Sequence, residues 1–251
     1  MAARLTNVLV APGEVFAEVK SSPIRHGNWL IPALILVLGS WLAAALMFSN
    51  ASIKQQVANI QEQAIQERFQ PQIDEGKMTQ AQVDQMKTQV AKYSGIGQMV
   101  GGFVGPIFQA VITPFWGGFI VWLGGVWIFR QRFDYLKGVE VVGLTMVVLA
   151  IGAVVKGLLC AAMGSMFASP GPILLVKNYD PTNPLHNVLV TLDVFMIWGV
   201  LLRAVGLATL SNVSFAKAAS WVVGVWVLLT GGMLGFSWGA QKLVSTLTGQ
   251  H

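Results

Sequence analysis

Charge is what this sequence has least of. Asp, Glu, Lys and Arg make up 11% of its 251 residues, where soluble domains carry about 25%. A chain this poor in charge has too little polar surface to cover a soluble fold, which excludes the ordinary globular classes. Cysteine is nearly absent. The single Cys160 lies in an apolar stretch, so no intrachain disulfide forms and the redox compartment is left open. Histidine occurs three times, and His26, His186 and His251 are far apart with no H-E-x-x-H pattern around them. C-x-x-C and G-x-x-x-x-G-K-[ST] are also missing, and no pair of aspartates falls on facing apolar segments. These absences leave no metal ligands, no cofactor signature and no catalytic residue to nominate, so an enzyme is not expected. Nor does the formal charge of +5 point to nucleic acid, because the basic residues are scattered and form no run.

What the chain has instead is apolar length. Hydrophobic residues reach 54%, with nine Trp, thirteen Phe and twenty-seven Gly, and aromatics and Gly are both enriched in membrane helices and at their interfaces. Five segments attain the roughly 20 residues that cross about 30 Å of hydrocarbon as a helix. They run from Trp29 to Phe48, about Val104 to Phe129, about Val139 to Phe167, Val188 to Leu210 and about Ala218 to Trp238. Lipid offers no partner to exposed backbone groups, so each must be helical. Alternating ten-residue segments, the mark of a β-barrel, are lacking. The expected fold is an all-α polytopic bundle of five transmembrane helices. Residues 1–28 form an amphipathic tail, 29–48 the first span, 49–98 a polar loop, and 99–251 the remaining four spans with a short C-terminal tail. The first apolar run has span length, not the 7–15 residues of a signal core, and Glu14 and Glu18 precede it. A cleaved signal peptide is therefore not expected.

Orientation follows from Lys and Arg beside the spans. Arg4, Lys20 and Arg25 precede the first, Arg130, Arg132 and Lys137 crowd the turn after the second, and Lys217 precedes the fifth. With alternating spans all fall on one side, which predicts a cytoplasmic N-terminus and an extracytoplasmic C-terminus. The opposite loop, residues 49–98, balances five basic against five acidic residues. Within it Ile53, Val57, Ile60 and Ala64 form one helical stripe, interrupted by Pro71 and Gly76. Thr79 with Gln82 reads as a capping box for a second helix striped by Val83, Met86 and Val90. The loop is thus expected to be a helical hairpin extending the first two spans. In the tail, Leu5, Val8 and Leu9, then Val15, Phe16 and Val19, predict short amphipathic helices along the inner interface.

Small residues and intramembrane charges supply the candidate sites. Gly97, Gly101 and Gly105, and again Gly231, Gly235 and Gly239, recur every fourth position. Such spacing serves helix dimerisation or close packing within one bundle. Gly235-Phe-Ser237-Trp-Gly239 matches the hydrolase pattern G-x-S-x-G. That motif needs a strand-to-helix elbow with an acid and a His beyond it, and only His251 follows. Asn50-Ala-Ser52 and Asn212-Val-Ser214 match the glycosylation pattern by chance. Lys156, Asp193 and Arg203 lie inside the predicted spans, where each costs about 2.5–3.5 kcal/mol at a helix centre. They suit either a polar path or structural pairing. On antiparallel spans Lys156 and Asp193 come to similar depth once the Lys stem extends toward the interface, which predicts an ion pair.

The stretch Leu192-Asp-Val-Phe-Met-Ile-Trp-Gly-Val-Leu-Leu-Arg-Ala-Val-Gly-Leu207, then Ser214-Phe-Ala-Lys-Ala218, resembles bacterial members of the Yip-domain family. So do Ala11-Pro-Gly-Glu-Val-Phe16, Pro23, Trp29-Leu-Ile-Pro32 and the Gln-rich loop. The resemblance implies five spans and a cytoplasmic N-terminus. In eukaryotic relatives it also implies vesicle traffic through Rab-type GTPases. The short tail here departs from them, and Arg25-His-Gly-Asn-Trp-Leu-Ile-Pro32 replaces their Asp-Leu-Tyr-Gly-Pro type signature. Rab binding is not carried over. The resulting expectation is a non-enzymatic protein of the bacterial inner membrane, without cofactor. It would organise membrane lipids or protein partners, a second copy among them; the alternative is a small transporter or channel.

Overall fold

The computed structural model describes residues 1–177, 179–180 and 183–247, and no strand occurs among them. His251 lies outside the described residues. Ten helices follow in chain order: α1 (Ala2–Val10), α2 (Pro12–Ser21), α3 (Gly27–Ser49), α4 (Ala51–Asp74), α5 (Gln80–Met99), α6 (Gly105–Leu123), α7 (Tyr135–Met163), α8 (Pro184–Thr191), α9 (Val194–Ser211) and α10 (Phe215–Leu247). Single π turns at Val100–Val104 and Gly124–Ile128 flank α6. Among the described residues five helical stretches are long and apolar enough to span a membrane: α3, α6 with its π turns, α7, α9 and the Phe215–Gly239 part of α10.

α7 is the hub. Of its apolar window 72% is buried, against 6% for α10 at the periphery, and it packs against α3, α6 and α9. Close approach explains the residues it uses. A Cβ on Gly138 would stand 2.7 Å from the Gly118 carbonyl oxygen, and one on Gly157 would stand 2.6 Å from the Ala43 Cα. Dispersion between touching backbones is what holds helices together in lipid, where apolar burial gives no drive. The four-residue glycine stripes do not serve this purpose within the chain. Gly97, Gly101, Gly105, Gly231, Gly235 and Gly239 have no described neighbour within 4 Å of a built Cβ.

Two span boundaries shift from those expected. The third span ends at Met163, where Gly164 adopts a left-handed φ of 61° and its N–H bonds the Cys160 carbonyl. The fourth begins at Val194, because the chain breaks at Leu192-Asp193 and leaves α8 as a separate short helix. Hydropathy runs unbroken across both places, so only the caps mark them. Pro71 sits in the last turn of α4 and does not end it, since one missing N–H bond near a helix end costs little. α5 begins where Thr79 and Gln82 exchange bonds: Thr79 N–H donates to Gln82 Oε1 at 2.8 Å, and Gln82 N–H donates to Thr79 Oγ1 at 3.4 Å.

The tail forms helices, but their apolar face turns to protein instead of lipid. Val8, Val15, Phe16 and Val19 are buried with Val141, Leu144, Leu207 and Leu210 of α7 and α9. Beside this contact lies a buried polar network. Arg4 pairs with Glu18 and donates from Nη1 to Asn28 Oδ1 at 3.1 Å. Asn28 Nδ2 and the Arg25 N–H both donate to Glu140 Oε1, at 2.7 and 2.9 Å. Lys137 Nζ stands 2.8 Å from Glu140 Oε2 and donates to the Val19 and Ser22 carbonyls at 2.7 Å each. The two cations match the two carboxylates, so the network is neutral. The hydrogen bond from Arg4 holds the exposed Glu18 carboxyl below its ordinary value. Lys20 closes the other side by donating to the Thr209 carbonyl and to Asn212 Oδ1, at 2.9 and 2.6 Å. That places a cation at the negative C-terminal end of α9, where Asn212 is the left-handed cap with φ 51°.

Candidate functional site

Six helices line a polar chamber in the bundle, α3 with Leu36 and Ser40 and α8 with Val190 and Thr191 among them. α6 contributes Gln109 and Thr113, one turn apart, and α7 contributes Leu149 and Lys156, two turns apart. α9 contributes Met196 and Arg203, also two turns apart, and α10 contributes Trp226 and Thr230. The chamber has two parts. A 420 Å³ part reaches Ser169 and Asp193 at the end of the bundle that carries α4 and α5. A 250 Å³ part runs deeper, to Arg203 and Val121. Gln109, Leu149, Met196 and Trp226 line both, so the two adjoin.

The three sequence candidates meet here, in unequal states. Asp193 is the N-cap of α9. It accepts from the Phe195 and Met196 N–H groups at 2.8 and 3.2 Å, and from Ser169 Oγ at 2.6 Å. Its charge is thereby matched to the positive end of the α9 dipole. Lys156 lines the same cavity, yet among the described residues no ion pair or hydrogen bond joins it to Asp193. The expected pair is thus corrected: similar depth is not contact, and the carboxylate is already committed to capping. Lys156 stands seven residues from Met163, roughly 10 Å at 1.5 Å per residue.

Arg203 is the more exceptional cation. It lies nine residues past Val194 and eight before Ser211, which is roughly 12–14 Å from either end of its span. Its Nε is sealed from solvent and has no hydrogen-bond partner, and no described carboxylate lies within ion-pair distance of it. Toward the α1–α2 end the next turn is Leu207, fully buried beside Val121, Val8 and Phe16. The chamber is closed there by an apolar floor. Lys156 and Arg203 against the capped Asp193 leave it one positive charge in excess.

Sequence reasoning missed Glu140, Asn28, Gln109 and Ser169. The Lys137–Glu140 spacing of three residues was the one available signal for the first two. Asn50 and Asn212 of the two glycosylation-like triplets serve as helix caps, Asn50 accepting from the Ser52 and Ile53 N–H groups at 2.9 and 3.3 Å. Ser237 lies within α10, not on a strand-to-helix elbow. Among the described residues no group of three or more His, Cys, Asp or Glu is placed to hold a metal ion.

Residues 6–237 match the model of the Yip1 domain family, so the chain belongs to that family. It is 24% identical over 225 residues to "Membrane protein YknW" of Bacillus subtilis (strain 168), covering 87% of this chain and 82% of the relative. No solved structure matches it.

Since Asp193 and Lys156 act separately, their losses should add. Asp193→Ala removes a cap and should cost about 1–2 kcal/mol, Lys156→Met should cost less, and the double variant should equal the sum within about 0.5 kcal/mol. Detergent-unfolding midpoints measure this, and a coupling well above that margin would restore the pair.

Proposed function

We propose that this Yip1-domain protein is a non-enzymatic, multi-pass protein of the bacterial inner membrane that organises lipid by holding an amphiphile in the chamber. The observation that carries this reading is the lateral cleft between α6 and α10. Its walls are Ile112, Trp116, Val225 and Leu229, and exposed Ile112, Trp116 and Leu229 face the bilayer side. An acyl chain fits such walls, while Gln109, Thr113 and Arg203 offer polar groups at the inner edge of the cleft. The apolar floor beneath Arg203 argues against the transport alternative, because a conducting path would have to pass Val121, Leu207 and the docked tail.

Native mass spectrometry of the protein released gently from membranes should show one retained lipid. Widening the wall residue Leu229 to Trp should strip that lipid while the fold persists. Protein that never carries lipid, together with solute flux in liposomes, would sink the reading in favour of transport.

The Lys and Arg bias supports a cytoplasmic α1–α2 end, with Arg4, Lys20, Arg25, Arg130, Arg132, Lys137 and Lys217 on that side. In a Cys160→Ser background, a cysteine introduced at Gln66 should react with an impermeant maleimide in spheroplasts, and one at Gln131 should not. The opposite pattern inverts the topology.

A further inference from the structure

The chamber has a charge requirement that not every amphiphile meets. Lys156 and Arg203 face it without an ion pair or hydrogen bond to any described residue, and Asp193 is held by the α9 N-terminus and Ser169. Lys156 at +1, Arg203 at +1 and Asp193 at −1 sum to +1. A cation left alone at mid-span is costly, and arginine's planar fork is suited to two oxygens of one group. Gln109 lines both parts of the chamber, makes no hydrogen bond to described residues and adds an amide donor between the two cations. Resting on the lipid reading above, we infer that the chamber is a binding site for a monoanionic membrane lipid, whose phosphodiester is held by Arg203, Gln109 and Lys156. A single negative charge neutralises the excess. A zwitterionic headgroup would bring an ammonium beside two cations and be rejected. The phosphodiester enters from the side of the α4–α5 end, where the larger part of the chamber reaches Ser169, and the chains lie in the cleft between α6 and α10.

The test uses delipidated full-length protein in a neutral detergent, with thermal midpoint and native mass spectrometry as readouts. Four probes are titrated: phosphatidylglycerol, phosphatidylcholine, oleate and inorganic phosphate. Phosphatidylglycerol should raise the midpoint and appear as a one-to-one complex, at least tenfold tighter than phosphatidylcholine or oleate, with inorganic phosphate silent. Arg203→Gln and Gln109→Leu should each weaken phosphatidylglycerol binding tenfold or more. Both remove polarity from a membrane helix, so the midpoint without lipid should hold and report that the fold survives. Lys156→Gln should weaken binding and narrow the preference over phosphatidylcholine. Equal binding of phosphatidylglycerol and phosphatidylcholine overturns the anion assignment while leaving the lipid reading intact. Tighter oleate binding assigns the site to a carboxylate and overturns the phosphodiester. Stabilisation by inorganic phosphate equal to that by phosphatidylglycerol overturns the lipid as the source of the anion. Binding of none of the four overturns this inference and the lipid reading together.

Discussion

The structure depends on one buried carboxylate. Glu140 is 1% exposed, on the helix that α3, α6 and α9 pack against, and its oxygens collect the Arg25 N–H, the Asn28 amide and the Lys137 ammonium. A carboxylate left unpaired at this depth would cost several kcal/mol, so those partners must stay in place. They come from the connection between α2 and α3 and from the first turns of α3 and α7. Satisfying Glu140 therefore fixes how the tail meets the bundle and how α3 sits against α7. The approach of Gly143 to Trp29, where a Cβ would stand 2.4 Å from the Trp29 Cα, follows from the same alignment. Lys137 ties in α2 by reaching the Val19 carbonyl in its last turn and the carbonyl of its C-cap Ser22. Hydrophobic residues of similar volume can hold helices as firmly; the directional bonds to Glu140 add a defined register between α3 and α7.

The same chain treats its other intramembrane charges differently. At the α1–α2 end two cations and two carboxylates cancel among themselves. In the chamber Asp193 keeps its charge but is held by backbone N–H groups and Ser169, and Lys156 and Arg203 are left facing open volume. The first arrangement holds a structure together without any further molecule. The second leaves two cations without a partner among the described residues, in a chamber apolar on the bilayer side, and on this the proposed lipid site rests. Membership of the Yip1 domain family is consistent with a five-span protein but assigns no such site.

Legibility in the sequence followed the strength of each physical signal. Five spans were readable because each apolar run is long, and the all-α class followed from them. Their ends were less readable, because the residues that stop them are a left-handed Gly164 and a capping Asp193 set within apolar stretches. From sequence alone Asp193 therefore reads as lying inside a span, and a carboxylate at the depth of Lys156 reads as its partner. Glu140 is hard to single out because it lies near the start of a span, where a charge passes for an interfacial one. Gln109 carries no charge and vanished within its run. The glycine stripes were conspicuous by their period, whereas the glycines that bring helices together, such as Gly118, Gly138 and Gly157, follow no period. Their role depends on what stands opposite, which one strand of sequence does not record.

The central claim is that Glu140 locks the tail and the first span to α7. Hydrogen exchange on the full-length protein in detergent, compared between wild type and Glu140→Gln, tests it most directly. Removing one partner from a buried ionic network costs about 3–5 kcal/mol. The account predicts that amides of α1, α2 and the first turn of α3 lose protection by about a hundredfold or more, while those of α10 exchange as before. Unchanged protection in α1 and α2, or an equal loss spread over all five spans, would contradict it.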